Sequence, residues 1–537
     1  MKFEGFFDTA TATALRFDWL VDELQPVTDY GRRIFAQLEP FAPGQHARAQ
    51  EHAQRIATMS AALDASRIDA VREALRSAPD ASGAIARASM GDALTDVNFL
   101  EIQRFCDVLA RTGTLLGEHS PYTLPLCEEV HRTLERGRSA KFGFYLEDRF
   151  DSELAAARTH LRDAQAEFEN ARALLTARIA HSLDRADGGT AEFIIMRDEL
   201  RGPIPQGVRV IREAPTYYLC ELELDEAALQ ALRRRDDATG RVACLEETVR
   251  ARLSDVIRTK SAELQEASSV LGAIDVLVAA ARFTQRHACT VAQYALGDVF
   301  EFTGAHFLPL QSELERQDRT YTPISLKFCG AAVLTGPNMG GKSIGLKTCG
   351  FIAACAAFGL PVPATSAKVA LFAHIAWLGV GIADDEEGLL SSFAREVVRL
   401  RDTLLIKRQP ELLLIDEFAR TTTPDEGRAL LLALIARLRE RQICALVATH
   451  LSGIASAAGV SHFAVRGLRS MPEGPPDADL HAALAQLAQL MDYTIELVTG
   501  DSKNAADAIF LAGLLGMDRP FIESAWQLLG GGEKQKH

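Results

Sequence analysis

Thr335-Gly336-Pro337-Asn338-Met339-Gly340-Gly341-Lys342-Ser343 has the spacing GxxxxGK[ST], and that spacing has a phosphate chemistry built into it. Glycines let successive backbone N–H groups converge on phosphate oxygens, and the start of a helix adds positive potential. In such a loop Lys342 reaches the β- and γ-phosphates and Ser343 ligates magnesium, so ATP and Mg2+ are the expected ligands. The expected contact positions are Gly336, Pro337, Asn338, Met339, Gly340, Gly341, Lys342 and Ser343. A second segment, Leu412-Leu413-Leu414-Ile415-Asp416-Glu417, is an apolar run ending in two adjacent carboxylates. Such an ending is common in buried strands, but beside a phosphate loop it assigns Asp416 to the metal and Glu417 to the activation of water. A third run, Cys444-Ala445-Leu446-Val447-Ala448-Thr449-His450, ends in a histidine placed to sense the γ-phosphate. A histidine at a strand end is more often structural, so this assignment rests on its company.

The elements that must hold these residues are legible around them. Ala331-Ala332-Val333-Leu334 predicts a buried strand running into the phosphate loop, with a helix behind it. From about residue 296 short apolar runs alternate with helices, the pattern of a parallel α/β sheet. The uncharged stretch between Lys347 and Lys368 contains Gly350, Gly359, Pro361 and Pro363 and is expected to be a core helix and turn rather than a membrane span. A Pro-rich loop, Pro472-Glu473-Gly474-Pro475-Pro476, interrupts the pattern late. Residues 1–145 read as successive helices, with apolar positions such as Leu15, Leu20, Val21 and Leu24 and turn signals at Pro40–Gly44 and Ala78–Asp80. From Asp151 to Leu183 the seam sharpens through Leu154, Leu161, Phe168 and Leu175, and a matching seam runs from Leu245 to Ile274 through Val249, Leu253, Val256, Leu264 and Leu271. Two antiparallel helices forming an arm follow, with the intervening insertion at its tip. That insertion holds the strand-like runs Val208–Ile211 and Tyr217–Leu224, separated by Arg212–Thr216. The expected divisions are 1–145 for the first part of a helical core, 146–295 for lever helices with an insertion at about 185–245, and 296–537 for the phosphate-loop domain.

With 537 residues, 47% hydrophobic and 24% charged, the chain is long enough for several folded units and excludes wholesale disorder. Acidic residues outnumber basic ones, 72 to 58, so bulk electrostatics do not make it a polyanion binder. The acids near Met1-Lys2-Phe3-Glu4 do not suit a signal peptide. Nine cysteines without a CxxC pair argue against a disulfide framework or a zinc site. A cytoplasmic protein with no membrane partner is expected.

At the site residues the sequence resembles the MutS family, relatives of the ABC-type ATPases that act as DNA clamps in mismatch repair and recombination. TGPNMGGKS over Thr335–Ser343 is similar to that family's loop. The resemblance continues through Phe358–Ala364, through Gly381-Ile382-Ala383-Asp384-Asp385, and through Ser391-Ser392-Phe393-Ala394-Arg395-Glu396, which looks like the signature S-T-F-x-x-E. Asp416-Glu417, Ala448–His450 and Ala512–Leu514 follow in family order. Upstream, Thr28–Arg33 looks like the opening of the family's core domain and Ile274–Leu277 like the end of its levers. The resemblance implies a C-terminal α/β ABC-type P-loop ATPase domain, preceded by an all-α core and lever domain with a small clamp-like tip. It also implies a homodimer in which Ser391 or Ser392 reaches across to the partner's ATP.

Three departures from the family pattern shape the functional expectation. The chain opens at the core domain, which implies that the mismatch-reading and connector domains are absent and mismatches are not read by that route. Phe418-Ala419-Arg420-Thr421-Thr422-Thr423 stands where the family has G-R-G-T-S after the acidic pair, and Ile344 replaces a threonine, which implies altered dimer-coupled hydrolysis. Residues 190–245 hold eight arginines, no lysine and ten acids, a net charge of −2, which predicts weak clamping of DNA. One reading is therefore a dimeric DNA-binding clamp ATPase, acting on duplex or branched DNA. A second is an ATP-dependent remodelling or reactivating factor for a protein client, as supposed for short MutS-like proteins encoded beside cobalamin-dependent aminomutases. A third is a nucleotide-binding scaffold with little turnover.

Overall fold

The structure, a computed structural model, describes residues 1–139, 143–185, 192–337, 341–379, 392–406, 408–468, 491–498, 509, 512–513 and 517–528. The chain divides into two compact units: Met1–Arg76, Thr114–Thr123 and Val270–His537 form one, and Ser77–Gly113 with Leu124–Ser269 the other. These differ from the divisions read from the sequence, because the first 76 residues join the phosphate-loop unit instead of a separate helical core. The physical reason is a set of bonds made by the N-terminal segment. Ile375 N–H donates to the Phe6 carbonyl at 2.9 Å, and Phe41 N–H to that of Ala357 at 2.7 Å. Trp377 N–H donates to Thr11 Oγ1 at 2.9 Å. Phe6, Phe17 and Phe358 pack their rings together. Asp275, fully buried, accepts from Thr28 N and Oγ1, both at 2.7 Å. The two upstream segments that resemble the family, Thr28–Arg33 and Ile274–Leu277, are thus joined through one carboxylate.

In the phosphate-loop unit a six-stranded sheet has the order His374–Gly379, Glu411–Asp416, Cys444–Ala448, Ala331–Thr335, Ser461–Leu468, Met491–Leu497. The first five strands are parallel and the last antiparallel. The parallel strands are almost wholly apolar because both faces are covered. Leu413, Ile415, Val447 and Val333 on one side meet Leu431, Ile435 and Leu438 of the Pro424–Glu440 helix. The Lys342–Ala357 helix is buried along nearly its whole length, as the uncharged stretch suggests. The sequence pattern did not reveal the second, four-stranded sheet, in the order Gln293–Ala295, Ser366–Ala370, Val299–Ala305, Ile324–Cys329. Its two longer hairpin strands alternate buried and open positions, the mark of a half-covered antiparallel pair.

The other unit is built on the Ser152–Ser182 and Glu226–Thr259 helices. Asp151 caps the first, accepting from Glu153 N at 2.8 Å and Leu154 N at 3.2 Å, and Asp225 caps the second, accepting from Ala228 N at 2.9 Å. Ion pairs Glu153–Arg241, Glu167–Arg234 and Arg178–Asp225 fix an antiparallel register, since rising numbers on one helix meet falling numbers on the other. The seam beyond Leu245 is not one helix: the chain breaks at Lys260 and resumes as Ser261–Arg286. The tip is an antiparallel sheet in the order Glu192–Met196, Tyr217–Leu222, Val208–Glu213. Ile195, Val208 and Cys220 pack on Leu175, Ile179 and Leu183. The sheet ends at Leu222 and the returning helix starts at Glu226, so the insertion closes earlier than position 245. The Ser261–Arg286 helix has the length and apolarity of a membrane span, but 72% of its most apolar window is buried within the protein.

Candidate functional site

The parallel strands bring their C-terminal ends to one edge, and the candidate residues sit just beyond three of them. Ala331–Thr335 leads to the phosphate loop, Glu411–Asp416 to the acidic pair, and Cys444–Ala448, which lies between these two strands, to Thr449 and His450. Thr449 N–H donates to the Leu334 carbonyl at 3.0 Å and Glu417 N–H to that of Ala448 at 3.0 Å, so the three strand ends are tied by backbone.

The loop needs glycine at two described positions. Gly341, the residue before the helix, has φ +90°, and a Cβ there would lie 3.1 Å from Tyr493 Cδ1. Gly336 has φ +153°, and a Cβ there would lie 2.9 Å from the Val465 Cβ. Asn338, Met339 and Gly340 lie outside the described residues, as do Gly381–Asp385 and Ser391. Ser392 opens the Ser392–Leu405 helix.

Four assigned residues converge. Lys342, 5% exposed, donates from Nζ to the carbonyls of Gly336 at 2.8 Å and Pro337 at 3.1 Å, and its Nζ lies 3.5 Å from Glu417 Oε1. Asp416 accepts a hydrogen bond from the Ser343 hydroxyl, while its Oδ1 is buried without a hydrogen-bond partner. Burial pushes the Asp416 carboxyl above the ordinary carboxylate range, and the Ser343 bond and the charges of Lys342 and Lys347 oppose that rise. Burial likewise lowers Lys342, against the pull of Glu417 and Asp416. A buried carboxylate oxygen with no donor, beside a serine hydroxyl, fits a magnesium ion ligated by Ser343 and Asp416. His450 is exposed at the same edge, two residues past the Ala448 strand end.

Glu417 projects from a turn in which Glu417 and Ala419 both adopt left-handed φ, +54° and +63°. Side chains hold this turn where glycine would relax it. Thr422 donates from Oγ1 to the Ala419 carbonyl at 2.8 Å, and Thr423 caps the Pro424–Glu440 helix, its Oγ1 accepting from Glu426 N at 3.4 Å and donating to Glu426 Oε2 at 2.8 Å. Arg420 reaches Glu417 Oε2 at 3.5 Å.

Sequence reasoning missed several supports. Lys347 lies five residues past Lys342 on a buried helix, 5.6 Å from the Trp377 ring centroid, and faces the Asp416 charge. Trp377 belongs to an edge strand that no motif marked. His462 Nε2 lies 2.8 Å from Thr335 Oγ1 at the mouth of the loop. A lysine within an otherwise apolar helix so soon after the loop lysine was the signal available for Lys347.

Comparison with known proteins bears on the same residues. A family model described as MutS domain V matches residues 332–470, which contain the loop, the acidic pair and the third strand end. Endonuclease MutS2 of Streptococcus pneumoniae strains 70585 and CGSP14 is 27% identical over 455 residues, covering 81% of this chain and 56% of the relative. Endonuclease MutS2 of strain ATCC 700669 / Spain 23F-1 is 34% identical over 200 residues, 37% of this chain and 25% of the relative. The chain thus spans about half the length of the curated relatives it matches. The domain V match thus falls on the assembled site, and the wider likeness to MutS2 runs over most of the sequence, so the chain is similar to proteins of the MutS family.

Proposed function

We propose that this protein is a Mg2+-dependent ATPase of the MutS type. The observation that carries the proposal is the meeting of Lys342, Ser343, Asp416 and Glu417, with one Asp416 oxygen left unbonded beside Ser343. Lys342 would hold the β- and γ-phosphates, displaced from the two loop carbonyls it now contacts. Ser343 and Asp416 would hold magnesium, which when bound neutralises charge on the phosphates. Glu417, its Oε1 3.5 Å from Lys342 Nζ, would orient water and take its proton. His450 would lie at the γ-phosphate end of the strand edge. Full activity would belong to a homodimer, with Ser391 and Ser392 facing the partner's nucleotide.

Phosphate release measured on wild type, Lys342→Ala and Glu417→Gln tests this reading. Lys342→Ala should lose nucleotide binding, and Glu417→Gln should bind but not turn over. Equal turnover by all three would sink it.

For the site of action we propose duplex or branched DNA, the partner expected of a MutS-type clamp, in the cytoplasm. A protein client is the second reading, and a specific feature of the tip favours it. Of the eight arginines in residues 190–245, five are engaged by carboxylates: Arg197 with Glu213, Arg209 with Glu221, Arg234 with Glu167, Arg235 with Asp236 and Arg241 with Glu153. Ile194, Met196 and Ile211 meanwhile stay exposed on the tip sheet. Such arginines pair with phosphate only by giving up their own partners.

A further inference from the structure

We propose that Glu396 is a positioning residue for Glu417, holding within one chain the turn from which Glu417 projects. The inference rests on the ATPase reading and extends it to a residue outside the phosphate loop and the acidic pair. Glu396 is the fifth residue of the Ser392–Leu405 helix, at the start of its second turn, and its Oε2 accepts the Ala419 N–H at 3.1 Å. Three residues earlier on the same helix face, Phe393 packs its ring on Phe418, with centroids 6.5 Å apart. The helix therefore grips two consecutive residues of the turn, one through the backbone and one through a side chain.

The turn needs such a grip. Ala419 is 4% exposed with φ +63°, a conformation that a residue with a Cβ leaves unless it is held. Glu417, two residues earlier, is also left-handed, so a relaxed Ala419 would re-aim the carboxylate that lies beside Lys342. Arg420 adds a further tie. It sits 3.5 Å from Glu417 and its charge favours the ionised form of Glu396, which burial disfavours. Because the gripping helix begins at Ser392, a displacement of its N-terminal end would be transmitted to Glu417 through Phe393 and Glu396. One short helix thus carries both a signature serine and the residue that sets the aim of the general base.

The test compares ATP turnover and ADP affinity of the full chain carrying Glu396→Ala, Glu396→Gln, and Glu396→Ala combined with Ala419→Gly. Glu396→Ala should lower kcat by about tenfold or more while the ADP Kd stays within about twofold. Glu396→Gln should keep most of the turnover, since its amide oxygen still accepts the Ala419 N–H. The double variant should recover part of the loss, because glycine holds a left-handed φ unaided. Should Glu396→Ala not fold, Glu396→Asp, which withdraws the carboxylate by one methylene, should show the same split between kcat and Kd. A wild type that hydrolyses ATP alongside an equally active Glu396→Ala or Glu396→Asp would overturn this inference alone. Equal losses in Glu396→Ala and Glu396→Gln, or no rescue by Ala419→Gly, would overturn it too. A wild type with no turnover would overturn the ATPase reading and take this one with it.

Discussion

Asp416 answers to two opposing demands. Burial raises its carboxyl above the ordinary range, yet only the ionised form can ligate a metal. In the folded chain it therefore keeps its proton to a higher pH than in the unfolded chain, where the value is about 3.9. Across the window between these two values the folded state binds more protons, so the group's contribution to stability falls as pH rises, while metal affinity rises over the same window. Asp416→Asn should remove that burden. We expect thermal unfolding at pH 7 to occur at an unchanged or higher temperature, with Mg2+-dependent turnover reduced about 100-fold or more. A Tm lowered by several degrees would show that the ionised carboxylate stabilises the fold, contrary to the direction of its shift. The Ser343 hydrogen bond opposes the rise at Asp416 most, followed by the charges of Lys342 and Lys347.

Among the elements, the Pro424–Glu440 helix shows how the sequence does the work of a glycine-rich turn with hydroxyls. Thr422 closes the turn on the Ala419 carbonyl, and Thr423 supplies the N-cap in front of Pro424. Thr423→Ala should cost about 1 kcal/mol of stability, read as a lower urea midpoint with an unchanged slope. Thr421→Ala, which touches neither bond, should stay within about 0.5 kcal/mol of wild type. The strands bearing the loop and the acidic pair were legible because parallel strands covered on both faces are continuous apolar runs. The His374–Gly379 edge strand was not, though it too is buried, because no motif marked it and its histidine, alanine, tryptophan and glycine do not form an aliphatic run. The Glu192–Met196 strand was missed for another reason: it is short and pairs across a long connection, so its partner cannot be read from local spacing. At the site, Lys342, Ser343, Asp416 and Glu417 could be read because their chemistry fixes their spacing. Glu396 meets the Ala419 N–H only through the tertiary fold, so no spacing rule marks that bond.

For the whole molecule the decisive quantity is charge available to a polyanion. The chain carries a net −14, and the tip sequence a net −2, so attraction to DNA must come from local cations. Of the tip's eight arginines, five pair with acids, leaving Arg201, Arg212 and Arg233 without an ion pair among the described residues. Each phosphate neutralised contributes about −0.9 to the slope of log affinity against log salt, so three such arginines give a slope near −3 for one tip. Exposed ion pairs are worth only about 0–1 kcal/mol each, so DNA could recruit the paired arginines at modest cost, and a clamp that did so would show a steeper slope. Binding to duplex and branched DNA should therefore be measured over a salt series, with ADP, with ATP and with a non-hydrolysable ATP analogue, using Lys342→Ala as control. We expect nucleotide-dependent binding with a slope between about −3 and −7 for a clamp that engages the tip, and a shallower slope in Arg212→Glu. Absence of binding at low salt in a chain that still hydrolyses ATP would move the tip's exposed Ile194, Met196 and Ile211 to the centre, because a surface that offers apolar side chains among self-paired charges suits a protein client better than a phosphate backbone.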